Sequence, residues 1–125
     1  MKMLTIRIAI VIFGILLPYI ARIPGGSGWL HQYTGNDIGG FLFIGVFNAI
    51  AWGAVLSFTF LYKYKRSVIA PVLFGFVPLA WVHSVYDISS DAQAGVGLVF
   101  IPIYALAPIA VGGVIGYLID RYLIK

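Results

Sequence analysis

The chain has 125 residues, of which 62% are hydrophobic and only 10% are charged, and it contains no cysteine. A soluble domain is roughly half apolar and about a quarter charged, so residues 1–125 are predicted to form a single domain that uses a bilayer as solvent. The lack of cysteine excludes disulfides, thiol catalysis and thiolate metal sites. The net charge of +4 comes from basic residues near predicted helix ends, a pattern typical of membrane topology and not of nucleic-acid binding.

Four long runs without charge predict four transmembrane helices, since about 20 apolar residues are needed to cross the hydrocarbon. The first run follows Lys2 and Arg7, as in a signal peptide, but no A-x-A cleavage site comes after it, and we interpret it as a span. The sequence thus predicts an all-α integral membrane protein with spans at about 3–23, 38–62, 67–86 and 93–119.

The distribution of basic residues predicts the orientation. With the N-terminus inside, seven basic residues lie on the cytoplasmic side and only Arg22 lies on the other, a strong positive-inside bias. We therefore expect two antiparallel hairpins with both termini cytoplasmic. The compact chain and its short loops favour the inner (plasma) membrane of a bacterium. The predicted cytoplasmic residues are Lys2, Arg7, Lys63, Lys65, Arg66, Arg121 and Lys125.

The outer loops carry signals for helix starts. Trp29, Leu30 and Tyr33 are expected to form one interfacial turn in the first outer loop, and Asn36 or Asp37 can cap the second span. Residues 90–93 match a capping box at the start of the fourth span.

Small residues recur at helical spacing on two spans. Such residues let transmembrane helices approach closely, so we expect both stripes to face other helices, either inside one monomer or in a homo-oligomer or partner contact. The stripes are Gly45, Ala49, Gly53 and Ser57 on the second span, and Gly112 and Gly116 on the fourth.

The deepest polar side chain is Asn48, near the centre of the second span, with Trp52 one turn further on the same face. An amide in hydrocarbon must be hydrogen-bonded. Tyr104, near the centre of the fourth span, is a candidate partner. The alternative function for these residues is a polar lining for a substrate or ion path.

A second polar cluster is expected on the outer face. His83 and Asp87 share a helix face at i, i+4, and His31, Asp37 and Asp91 come from the outer loops. The cluster suits a hydrogen-bonded lid that ties the loops together and meets a partner or ligand. A divalent cation such as zinc is an alternative, whereas a haem held by the two histidines is geometrically difficult. We expect no metal and no cofactor.

Several function classes find no support in the residues. No Asp, Glu, Lys or Arg lies in the middle of a span, which argues against ion-coupled transport. The small four-helix multidrug exporters depend on a glutamate, and this chain has none. No catalytic triad or phosphate-binding loop is present. Residues 89–104 resemble the last span of small bacterial membrane proteins, a resemblance that implies no activity.

These observations predict a non-enzymatic membrane protein that binds a protein partner in or at the membrane, as an accessory subunit or a toxin-immunity-type protein does. The first alternative is a small homo-oligomeric channel or transporter whose path is lined by Asn48 and Tyr104. The second is a membrane enzyme or redox subunit that uses the outer histidines.

Overall fold

The computed structural model describes residues 2–34, 38–87 and 94–123, with the backbone alone for residues 38–41 and 94–96. Within these ranges the chain is helical and contains no strand. The helices are α1 (Met3–Ile20), α2 (Ser27–Thr34), α3 (Ile38–Thr59), α4 (Ile69–Val85) and α5 (Ala94–Leu118). Short 3-10 turns cover Ile23–Gly25 and Lys65–Val68, and a π-helical turn, Ile119–Leu123, follows α5.

Four of the segments are long and apolar enough to cross a membrane, so the prediction of an all-helical chain with four candidate spans is confirmed. Their bounds are Met3–Gly25, Leu42–Thr59, Lys65–Val85 and Gly97–Leu123. The predicted cap at Asn36 or Asp37, the capping box at 90–93 and the site residue Asp91 lie outside the described residues.

The loop after α1 contains a helix of two turns, α2, where the sequence predicted a single interfacial turn. Gly26 makes the entry into α2 possible because its φ of 95° is a left-handed conformation that other residues rarely adopt. Gly25 contributes space: a Cβ there would lie 2.6 Å from Cδ1 of Trp29. The ring of Trp29 therefore folds back over the chain that leads into α2.

The packed centre of the bundle is apolar and draws on all four long helices. Leu17 of α1, Val55 of α3, Leu79 of α4 and Ile109 of α5 are almost completely buried. Gly75 allows the closest approach, since a Cβ there would lie 2.7 Å from Cγ1 of Ile109. The centre therefore contains no space for an additional side chain between α4 and α5 at this level.

The G-x-x-x-G stripe of α5 packs inside the monomer. A Cβ on Gly112 would lie 2.6 Å from Cβ of Phe74 and 2.8 Å from the carbonyl oxygen of Ala70. A Cβ on Gly116 would lie 2.5 Å from the hydroxyl of Tyr62 and 2.7 Å from the carbonyl oxygen of Ser67. Both glycines are required by the contact between α5 and the segment 62–74.

The stripe on α3 behaves differently: of the two environments predicted for it, packing inside the monomer is not seen at its glycines. Among the described residues, no atom lies within 4 Å of a Cβ built on Gly45 or Gly53. Ser57 is exposed and donates a hydrogen bond back to the carbonyl of Gly53, at 2.8 Å. The reason is the register of α3: Ala51 and Val55 turn the opposite face of the helix inward.

Candidate functional site

The side chain of Arg22 lies at the centre of the polar cluster that follows α1, and it is 0% exposed. Its Nε donates to the carbonyl of Trp29 at 2.9 Å. One terminal nitrogen, Nη1, donates to the carbonyls of His83 at 2.8 Å and Tyr86 at 2.6 Å. The other, Nη2, donates to Oε1 of Gln32 at 2.7 Å. A single guanidinium thus connects α1, α2 and the C-terminal end of α4.

Two aromatic rings of α2 enclose this guanidinium. Trp29 and Tyr33 are four residues apart, so their side chains share one face of α2. The Cζ atom of Arg22 lies 4.2 Å from the centroid of the Trp29 ring and 4.0 Å from that of Tyr33. Cation–π contacts of this kind are most favourable where water is excluded. Trp29 also donates from Nε1 to the carbonyl of Ser84 at 2.7 Å, a second bond between α2 and α4.

His83 lies under this cover and not on the surface, contrary to its predicted place on an exposed outer face. It is 2% exposed, and its Nδ1 is 2.8 Å from the hydroxyl of Tyr33. Its Nε2 has no hydrogen-bond partner among the described residues. Burial raises the pKa of the Tyr33 hydroxyl, although the nearby positive charge of Arg22 acts in the opposite direction. Tyr33 therefore stays neutral at physiological pH.

Asp87 joins the cluster through an amide. It accepts a hydrogen bond at 3.0 Å from Nε2 of Gln32, the same side chain that accepts from Arg22. Gln32 therefore bridges Arg22 and Asp87. His31 is exposed on α2. No group of three metal-ligating side chains forms within residues 2–34, 38–87 and 94–123. The arrangement is a closed, hydrogen-bonded lid.

The intramembrane polar residues are brought together only in part. Asn48 is 4% exposed and donates to the carbonyl of Gly14 at 2.7 Å. Trp52 packs on the same glycine: a Cβ built on Gly14 would lie 2.6 Å from Cγ of Trp52. The expected bond from Asn48 to Tyr104 is absent from the described part of the chain, because Asn48 bonds to α1 and Tyr104 is 75% exposed on the outside of the bundle.

Asp120 organises the opposite end of the bundle. It is 2% exposed, and both its oxygens accept from the amide of Lys63, at 3.1 and 3.0 Å. Its Oδ1 also accepts from the amide of Tyr64 at 2.8 Å and from the hydroxyl of Ser67 at 2.7 Å. The carboxylate at the end of α5 therefore holds the α3–α4 loop, much as a capping side chain holds a helix end.

The hydroxyl of Tyr62 adds to this connection by donating to the carbonyl of Gly113 at 2.7 Å. Burial, together with the negative charge of Asp120, raises the pKa of Tyr62 to about 12. Tyr62 is consequently a neutral donor throughout the physiological range.

Arg7 also lies at this end, where it is held by the last turn of α3. Its Nε donates to Oγ1 of Thr59 at 3.0 Å, and its Cζ lies 4.0 Å from the centroid of the Phe60 ring. The guanidinium is thus occupied by contacts within the protein.

Apolar grooves run along the outside of the bundle, and Asn48 is absent from the lining of three that are formed by described residues. The groove between α1 and α3 has a volume of about 320 Å³, and the one between α1 and α4 about 290 Å³. The third, of about 180 Å³, separates α4 from α5 and is lined by Pro78, Leu79, Val82, Ile101, Tyr104, Ala105 and Pro108. All three suit lipid chains or helices better than hydrated ions.

Sequence reasoning missed the central positions of Arg22 and Asp120, and it did not single out Gln32. A signal for the first existed: Arg22 is the one basic residue on its predicted side, and two aromatic residues at i, i+4 follow it. No comparable signal marks Asp120, whose partners are mainly backbone amides more than 50 residues earlier.

Comparison with known proteins does not assign this chain to a family. The chain matches no protein-family model, no curated protein and no solved structure.

Proposed function

We propose that this chain is a non-enzymatic, multi-pass membrane protein that binds another membrane protein through the partly exposed small-residue face of α3. In this proposal the four spans form two antiparallel hairpins in a bacterial inner membrane, with both termini cytoplasmic. The chain acts as an accessory subunit or as an immunity-type protein.

The observation that carries the proposal is the open space beside Gly45 and Gly53. The face defined by Gly45, Ala49, Gly53 and Ser57, the α3 face, also includes Val46, which is 64% exposed. Lipid is as apolar as leucine, so the association of spans depends on close packing at small residues. Gly112 and Gly116 achieve such packing within the chain, whereas the α3 face leaves room for a helix from another protein.

The polar side chains inside the spans support a binding role over a catalytic or transport role. Asn48 bonds to Gly14, and the guanidinium of Arg22 is surrounded by carbonyls and rings. The guanidinium of Arg22 is engaged in this way and stabilises the fold, and the Nδ2 donor of Asn48 does the same. The Oδ1 of Asn48 and the Nε1 of Trp52 are buried and have no hydrogen-bond partner among the described residues. The described residues also bring no metal-ligating triad together.

A photo-crosslinking amino acid placed at Ala49 tests the proposal in the membrane of the native host. We expect a discrete adduct with one protein. The matched control is the same amino acid at Leu73, which is exposed on α4, and it should give no discrete adduct.

The variant Gly53→Leu adds a more specific test, because a Cβ built at residue 53 has no atom of the described chain within 4 Å. We expect it to abolish the adduct from Ala49 without lowering the unfolding midpoint. Ala110→Leu, a similar enlargement at an exposed position of α5, should preserve the adduct. Equal adducts from Ala49 and Leu73, or an adduct that persists in Gly53→Leu, would reject the α3 face as the binding surface. An adduct of twice the chain mass would favour self-association.

A further inference from the structure

The end of the bundle that carries Asp120 combines a buried carboxylate with exposed cations. Lys63 and Arg66 lie in the α3–α4 loop, and Arg121 follows Asp120 directly in the chain. All three cationic side chains are exposed. Because Asp120 holds the loop by its backbone, the three cations are carried by segments that are tied to each other.

The negative charge of Asp120 is directed toward the interior of this arrangement. Of the two carboxylates that the structure describes, Asp120 and Asp87, only Asp120 lies at this end, and it is almost completely buried. Its oxygens face the amides of Lys63 and Tyr64 and the hydroxyl of Ser67. The outward surface is therefore strongly positive although an acid lies beneath it.

Aromatic side chains accompany this positive surface in a pattern typical of the depth of lipid headgroups. Tyr64 and Tyr122 are exposed on the same segments as the cations, and tyrosine concentrates at membrane–water interfaces. The Cζ atom of Arg121 lies 5.2 Å from the centroid of the Tyr117 ring, which directs the guanidinium along the end of α5. The candidate spans also end here, at Thr59 and Leu123, and begin at Lys65.

We propose that Lys63, Arg66 and Arg121 form a binding site for the phosphate of an anionic phospholipid headgroup. Arginine forks match phosphate oxygens in pairs, and lysine adds a point charge. Arg7 is excluded from the site because Thr59 and Phe60 already occupy its guanidinium. The site thus selects lipids by net charge, and it does so independently of any protein bound on the α3 face.

Native mass spectrometry of the purified protein with phosphatidylglycerol or phosphatidylcholine tests this site. We expect phosphatidylglycerol to bind more tightly than phosphatidylcholine. Each cation near a membrane surface contributes about 1 kcal/mol, and 1.4 kcal/mol corresponds to a factor of ten. Arg66→Gln and Arg121→Gln should therefore each weaken phosphatidylglycerol binding about fivefold, and the double variant about 30-fold.

Lys2→Gln is the matched control, since Lys2 is exposed before α1 and lies outside the proposed site; we expect less than a twofold change. Retained binding of phosphatidylcholine in the double variant shows that the protein is still folded. Equal affinity of the wild type for both lipids would overturn the proposal. An equal loss of phosphatidylglycerol binding in Lys2→Gln would also overturn it, because that loss indicates an effect of overall charge and not of a site. Displacement of the lipid by inorganic phosphate would overturn it too, because it indicates a site for a free anion.

Discussion

The buried polar side chains of this chain bond mainly to the backbone. Arg22 and Asn48 donate to carbonyl groups, whereas Asp120 accepts from amides. Backbone partners are present whatever side chains surround them, so such bonds satisfy a polar group without requiring a second polar residue in an apolar span. Bonding to the backbone explains how a chain with 10% charged residues can bury a guanidinium and a carboxylate.

The clearest residue-scale prediction concerns Arg22. Replacement by Gln removes the guanidinium that donates hydrogen bonds to the carbonyls of Trp29, His83 and Tyr86. Each buried acceptor left unpaired costs about 1 kcal/mol or more, so we expect a loss of about 3 kcal/mol in the free energy of unfolding. Unfolding by denaturant in mixed micelles measures the loss. The exposed residue Lys2 provides the control, because Lys2→Gln should leave the transition unchanged. A wild-type transition in Arg22→Gln would mean that the lid contributes nothing to stability.

At the scale of elements, the two small-residue stripes have opposite environments. The stripe on α5 is filled by side chains and backbone of the segment 62–74, and the stripe on α3 lies open. Composition and spacing are alike in both, which is why the sequence predicted the same role for both. The direction in which each stripe faces depends on the rotation of the helix about its axis, and the apolar residues on every side of a transmembrane helix do not specify that rotation.

This contrast predicts different effects of the same substitution. Gly112→Ala places a methyl group 2.8 Å from the carbonyl oxygen of Ala70, a backbone atom that cannot move aside alone. We expect a loss of about 1–3 kcal/mol, typical of overpacking. Gly53→Ala meets no described atom and should be neutral or stabilise α3 by up to about 1 kcal/mol, the difference in helix propensity.

Thermal unfolding of the two variants under identical detergent conditions provides the measurement. A destabilised Gly53→Ala in the isolated protein would show that the α3 face is already occupied, for example by a second copy.

At the scale of the whole molecule, the number of spans was predictable and their contacts were not. Charge-free runs mark where a helix can cross hydrocarbon, and the structure has four such helices. The pairing of Tyr33 with His83 and of Asp120 with the α3–α4 loop joins residues 50 or more positions apart. No local periodicity encodes such contacts. The predicted pairing of Asn48 with Tyr104 was wrong because the two spans face each other with different residues.

The bundle is also predicted not to conduct ions across a bilayer. Asn48 is bonded to Gly14, and it lines none of the grooves described above. We expect liposomes with a high protein content to hold a potassium gradient as well as empty liposomes do. Asn48→Ala should alter stability by about 0.6–2 kcal/mol, the value of one interhelical bond, and leave permeability unchanged. Flux that depends on the protein and decreases in Asn48→Ala would favour the channel alternative.

The long sequence separation of the polar contacts has a consequence for biogenesis. The ribosome delivers the chain from the N-terminus, so Arg22 is made 61 residues before the carbonyl of His83 that accepts from it. The amide of Lys63 is made 57 residues before the carboxylate of Asp120. The guanidinium of Arg22 and the amide of Lys63 are therefore made well before the groups that pair with them. Completion of α4 supplies the acceptors of Arg22, and completion of α5 supplies the carboxylate of Asp120. A nascent chain that stops short of residue 120 therefore lacks the side chain that holds the α3–α4 loop.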